Sequence, residues 1–98
     1  MITIYTTPAF DAWFAALVDR HAKVRIQVRI DRLEHGNAGD WNPVGAGVSE
    51  LRIDYGPGYR VYFIRRGLEV VILLAGGDKS TQARDIKAAL RLAKEWEQ

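Results

Sequence analysis

The sequence predicts a single α+β domain built on a mainly antiparallel sheet. Three observations predict it. Residues Val48 to Tyr62 alternate in polarity and are interrupted by Gly56-Pro57-Gly58, the pattern of a tight hairpin. Val70 to Ala75 is apolar at every position, as a central strand covered on both faces would be. Segments with apolar residues at helical spacing flank the strands on both sides. A chain of 98 residues suits one small domain and is too short for two, so the domain is expected to span 1–98.

Ile2 to Tyr5 is a short apolar segment expected to form an edge strand. Thr7-Pro8 supplies an N-cap and a first helical residue, and Phe10, Trp13, Phe14, Leu17 and Val18 then recur at helical spacing. The first helix is expected from Pro8 to about Asp19, with its aromatic stripe in the core. A second helix is expected from Arg20 or His21 to Glu34, stopped by Gly36, with Ala22, Ile26, Ile30 and Leu33 as its buried stripe. Val24, Ile26, Val28 and Ile30 also alternate, as in a strand, but length and the lack of internal breakers favour a helix paired with the first as an antiparallel hairpin. Asn37 to Gly47 reads as a loop. Trp41 in its middle either pins the loop to the core or stands at a binding surface.

In the hairpin, Tyr55 is expected opposite Tyr59, Asp54 opposite Arg60, and Arg52 opposite Tyr62. Residues two apart share a face. Leu51, Ile53, Tyr55, Val61 and Phe63 then line a core side, and Glu50, Arg52, Asp54, Arg60, Tyr62 and Ile64 an ionisable side. Gly76-Gly77-Asp78-Lys79 leaves the sheet, and Ser80 or Thr81 caps a last helix from Gln82 to Trp96. That helix carries an apolar stripe of Ala83, Ile86, Leu90 and Ala93 and a basic stripe of Arg84, Lys87, Arg91 and Lys94.

Composition narrows the function. The absence of cysteine excludes a disulfide scaffold and a thiolate zinc site, and suits a reducing cytoplasm. No secretory signal and no membrane-length apolar run is present. The net charge is +2, but basic charge is local: Arg20 to Glu34 holds five Lys or Arg against two acids, and Glu50 to Arg66 four Arg against two acids. This fits a polyanion partner on one surface, and equally a solvated face. No nucleotide-binding glycine loop occurs, and His21 and His35 lack metal partners, so no cofactor and no metal are expected.

The remaining constellation is Arg52, Arg60, Tyr62 and Lys79. An antiparallel third strand would return its end, and Lys79, to the start of the second, beside Arg60. Two arginines and a lysine can hold a scissile phosphate and offset charge developing on its oxygens, while an RNA strand supplies its own 2′-hydroxyl nucleophile. Tyr62 would stack on a base or assist proton transfer. Alternatively, Arg52 and Arg60 pair with Glu50 and Asp54 and solubilise an open sheet face.

ELRIDYGPGYRVYF, followed by ILLAGGDKSTQARDI and preceded by FDAWFAALVDRHAKVRIQVRIDRLEHG, resembles the RelE/ParE superfamily of type II toxins. Within it the chain is most similar to the phage-derived HigB-like branch, the addiction-module killer proteins. The resemblance implies a small RelE-like domain and a cytoplasmic toxin that cleaves mRNA in the A site of the 70S ribosome, without metal. The 2′-hydroxyl would attack, leaving a cyclic phosphate. It further implies a cognate helix-turn-helix antitoxin, which makes most of the contacts to operator DNA. Carried over by position, Arg60 matches the strand arginine at the scissile phosphate, Arg52 a basic position on the preceding strand, and Lys79 the basic position after the last strand. The tail Gln82 to Gln98 lacks the C-terminal tyrosine of the classical RelE members. A gyrase inhibitor of the ParE type, or a non-enzymatic binding protein, would fit the same resemblance.

Overall fold

A computed structural model describes residues 1–96; Glu97 and Gln98 of the expected tail lie outside the described residues. Strands β1 (Thr3–Thr6), β2 (Trp41–Gly45), β3 (Val48–Ile53), β4 (Tyr59–Arg66) and β5 (Val70–Asp78) form one sheet in the order β1-β5-β4-β3-β2. β1 runs parallel to β5, and the other pairings are antiparallel. Helices α1 (Pro8–Ala16) and α2 (Arg20–Glu34) cover one face, and α3 (Gln82–Glu95) covers the other. No helix is long and apolar enough to cross a membrane.

The first helix ends earlier than its aromatic stripe suggests. Thr7 starts it: its hydroxyl accepts from the Phe10 N–H at 3.0 Å and donates to the Leu74 carbonyl at 2.6 Å, tying the helix entry to β5. Leu17 is already extended, and Asp19 turns the chain by accepting from the N–H groups of His21 and Ala22 as the N-cap of α2. α1 lies over β5 and α2 over β3. Ala22, Ile26, Ile30 and Leu33 are the buried stripe of α2, as the spacing requires.

Half of the expected loop is an edge strand. Trp41 to Gly45 pairs with β3 although it contains Pro43 and two chain-breaking neighbours. Proline is tolerated there because an edge strand has one row of N–H groups with no ladder partner. Trp41 remains half exposed on this edge.

The hairpin register is displaced by two residues from the expected one. Arg52 faces Arg60, Glu50 faces Tyr62, and Ile53 faces Tyr59. A slip of two keeps every side chain on its face, so the two faces were assigned correctly while the cross-strand partners were not. The ionisable side is not an open surface. Val48, Tyr62, Ile64, Ile72, Leu74 and Ala75 pack there against Ala89 and Ala93 of α3, forming a second core. A register irregularity between Tyr62 and Phe63 puts both Leu74 and Ala75 of β5 on this side. The buried face of α3 is also rotated from expectation: Asp85, Ala89 and Ala93 point inward, and Ala83 is exposed.

Gly76 and Gly77 allow the two helical layers to close on β5. A Cβ at Gly76 would lie 2.1 Å from the Trp13 ring, and one at Gly77 would lie 1.8 Å from the Asp85 carboxylate. Neither glycine is there for a special backbone conformation; each removes a side chain where a neighbour must approach.

Candidate phosphate-binding site

α3 stops short of one end of its sheet face. Beyond its first turn, the hairpin end of β3 and β4 and the start of the Lys79–Thr81 3-10 turn enclose a cleft of about 280 Å³. Arg52, Arg60 and Lys79 line it, together with Asp40, Asp54 and Gly56-Pro57-Gly58. The β4–β5 register makes this convergence: Arg60 pairs with Gly77 and Tyr59 with Asp78, so Lys79 follows directly beside Arg60. The Lys79 stem runs over Gly58, where a Cβ would come within 3.1 Å of it. Gly58 has φ +80°, so the turn needs glycine for its backbone as well as for this approach.

The two arginines differ. Arg52 is 40% exposed at its side chain, while Arg60 is only 10% exposed. Arg60 therefore does not project freely from an open face. Its Nη1 donates to the carbonyls of Gly58 (3.0 Å) and Tyr59 (3.1 Å), which fixes the turn and the guanidinium together. Its buried Nε has no hydrogen-bond partner.

Behind both stands Glu50, which the sequence reading treated only as a possible ion-pair partner. Its side chain is 1% exposed. It accepts from Arg52 Nε at 3.1 Å and from the Gln82 amide at 2.8 Å, and its Oε1 lies 3.9 Å from Arg60 Nε. The last contact is an ion pair and too long for a hydrogen bond. One buried carboxylate thus lets two arginines sit directly opposite each other, where like charges would otherwise repel. Gln82 fastens the start of α3 to the same group.

Arg29 is a second contributor without a sequence signal of its own. From α2 it donates to the carbonyls of Ala38 (3.0 Å), Asp40 (2.8 Å) and Arg52. The Arg52 N–H in turn donates to the Asp40 carbonyl at 2.9 Å. A single guanidinium therefore holds the approach to β2 against the end of β3 and sets one wall of the cleft.

Tyr62 is not brought to the cleft. Its ring is fully buried under α3, and its hydroxyl is buried without a partner among the described residues. A base cannot stack on an enclosed ring. Burial, with the nearby Glu50 and Asp85 carboxylates, raises its pKa well above the usual phenol value, so it stays protonated. The cause is again α3, whose coverage of this face the strand pattern alone does not reveal. Nearby, Asp85 accepts from the Thr81 hydroxyl and from Arg84 at 3.2 Å, and Asp78 caps the 3-10 turn.

As a chemical device, the cleft offers three cations and two rim carboxylates around a volume fit for a phosphodiester group. Comparison with known proteins gives three findings. Residues 12–96 match the family model described as phage-derived protein Gp49-like. An uncharacterized protein of Haemophilus influenzae is 53% identical over 94 residues, covering 96% of this chain and 95% of that protein. The crystal structure of YafQ from Escherichia coli strain BL21(DE3) superimposes with a TM-score of 0.67 at 10% identity, over 84% of this chain and 98% of that one.

Proposed function

The chain belongs to the phage-derived Gp49-like family and has a RelE-like fold, and from that premise we propose that it is the toxin of a type II toxin–antitoxin module, acting as a ribosome-dependent mRNA endoribonuclease of the HigB-like branch. The observation that carries this reading is the meeting of Arg52, Arg60 and Lys79 in one cleft. In the proposed reaction the 2′-hydroxyl of the substrate attacks the adjacent phosphorus, and the 5′-oxygen leaves. Arg60 holds the non-bridging oxygens, and Arg52 and Lys79 offset the charge that grows on them in the transition state. Asp40 and Asp54 on the rim are the carboxylates available to take the 2′-hydroxyl proton. Tyr62 contributes packing beneath the site. Glu50 orients the two arginines, and its neutralisation of part of their charge is offset by the rigidity it confers. A small antitoxin would inhibit by covering this cleft, and the pair would repress its operon with the antitoxin making most DNA contacts.

The test is single-turnover cleavage of A-site mRNA on translating ribosomes at saturating toxin. Loss of one preorganised oxyanion contact is worth about 3 kcal/mol, roughly a hundredfold in rate. Arg60→Lys is expected to fail as well, because lysine cannot reproduce the planar fork that also holds Gly58 and Tyr59. Because Arg60 is nearly buried, each variant requires a measured stability beside its rate. A folded Arg60→Lys protein cleaving at the wild-type rate would remove Arg60 from the phosphate clamp. Normal growth of cells accumulating the wild-type chain alone would count against a toxin altogether.

A further inference from the structure

We propose that the outer ridge of α3, ending on the Tyr5–Trp96 aromatic pair, is a track for single-stranded RNA leaving the cleft, an inference that rests on the cleft holding an RNA phosphate. The track begins at the site itself. Lys79 lines the cleft, the 3-10 turn Lys79–Thr81 follows, and α3 starts at once at Gln82. Arg84, Lys87, Arg91 and Lys94 then stand on the exposed side of α3, while Asp85, Ala89 and Ala93 form its buried side. Steps of three and four residues place successive cations about 4.5–6 Å apart along the axis, within reach of successive phosphates of a flexible strand. Arg84 is partly spent on Asp85, but Lys87, Arg91 and Lys94 form no ion pair among the described residues. Glu95 is the sole exposed acid in α3, at its last residue.

A basic ridge alone would fit any polyanion. What selects single-stranded nucleic acid is the far end. Tyr5 of β1 is 49% exposed, and its ring centroid lies 6.4 Å from that of Trp96, the C-cap of α3, with the planes inclined at 35°. An exposed aromatic next to a line of cations is the combination that binds unpaired bases: the cations follow the backbone and the ring receives a base face. A duplex hides its base faces, and an acidic protein has none. The ring of Tyr5 also has no structural need for this exposure, since the neighbouring Ile2 and Ile4 supply the core contacts of the N-terminal segment.

The experiment is fluorescence-anisotropy titration of the whole chain with a labelled oligouridylate of about twelve nucleotides, a length within the range such surfaces occupy, over a series of salt concentrations. The oligonucleotide is 2′-deoxy throughout, so binding is read without cleavage or ribosomes. Each phosphate contact contributes about 0.7 to the log–log salt slope for a single strand, so Lys87→Gln/Arg91→Gln/Lys94→Gln should lower the slope by about 2. Tyr5→Leu should weaken binding by about tenfold and leave the slope unchanged, the signature of lost stacking. Lys87→Arg/Lys94→Arg should keep the wild-type slope, which controls for helix damage. A triple variant with the wild-type slope overturns the track. So does a Tyr5→Leu protein that binds as tightly as wild type, or equal binding of poly-glutamate by wild type, either of which would reduce the ridge to a plain basic patch. A chain that binds through the ridge yet does not cut A-site mRNA would sink the proposed cleavage and leave the ridge standing; a chain that cuts with no ridge dependence would do the reverse.

Discussion

Glu50 is the group whose loss should separate the architecture of the site from its chemistry. Consider Glu50→Leu. The substitution removes the counter-charge of Arg60, whose side chain is 10% exposed, and the acceptor of the Gln82 amide. Breaking a buried pair by deleting one partner costs about 3–5 kcal/mol. The lower end applies here, because Arg60 keeps the carbonyls of Gly58 and Tyr59 and stands 3.9 Å from Glu50. Arg52, at 40% exposure, adds little, since water can replace the carboxylate around it. The expected loss is about 3 kcal/mol, which lowers Tm by roughly 12–24 °C in a domain of this size. Now add Arg60→Met. The remaining buried charge is gone, and an apolar pair can replace an ionic one at little cost, so the double variant should recover to within about 1 kcal/mol of wild type. Cleavage should not recover, because the clamp has lost its arginine. The assay is urea unfolding of wild type and the single and double variants, paired with single-turnover cleavage. Wild-type stability in Glu50→Leu would show that the carboxylate carries no structural charge balance. A double variant no more stable than the single would place the cost in packing and refute the reasoning.

Two further outcomes are expected. Gly77→Ala would press a methyl group to within 1.8 Å of Asp85 and 2.9 Å of the Thr81 hydroxyl, costing about 1–3 kcal/mol as overpacking; an unchanged urea midpoint would mean that α3 can shift freely on the sheet. For pH, the Ser80 hydroxyl and then its N–H hold the Asp78 carboxyl below its ordinary pKa. Its contribution is therefore present above the ordinary carboxylate range and lost as pH falls through the lower folded value, so Asp78→Asn should flatten the acid limb of stability between about pH 2 and 5; parallel curves for the two proteins would exclude the cap as a source of acid sensitivity.

Much of this molecule is written locally. Period-two alternation assigned Leu51, Ile53, Val61 and Phe63 to one face and Glu50, Arg52, Arg60 and Tyr62 to the other, and the structure keeps both sets. Helical spacing located α2 within a residue, and the antiparallel return of β5 brought Lys79 to Arg60. These follow from geometry that repeats every two or 3.6 residues, so neighbours in sequence suffice to read it. Where α3 lies could not be read in this way. Its position over β4 and β5 buries Tyr62, nearly buries Arg60 and confines the open part of the face to a cleft at the hairpin end. Cross-strand partners likewise depend on a register in which a slip of two leaves the polarity pattern intact, so alternation cannot distinguish Arg52 facing Arg60 from Arg52 facing Tyr62. The role of Glu50 depends on both: on a register that puts two arginines side by side, and on a helix that removes water from the carboxylate between them. Desolvation is set by what packs from far along the chain, and it decides whether a charged residue is a solvated ornament of the surface or the fixed centre of a site.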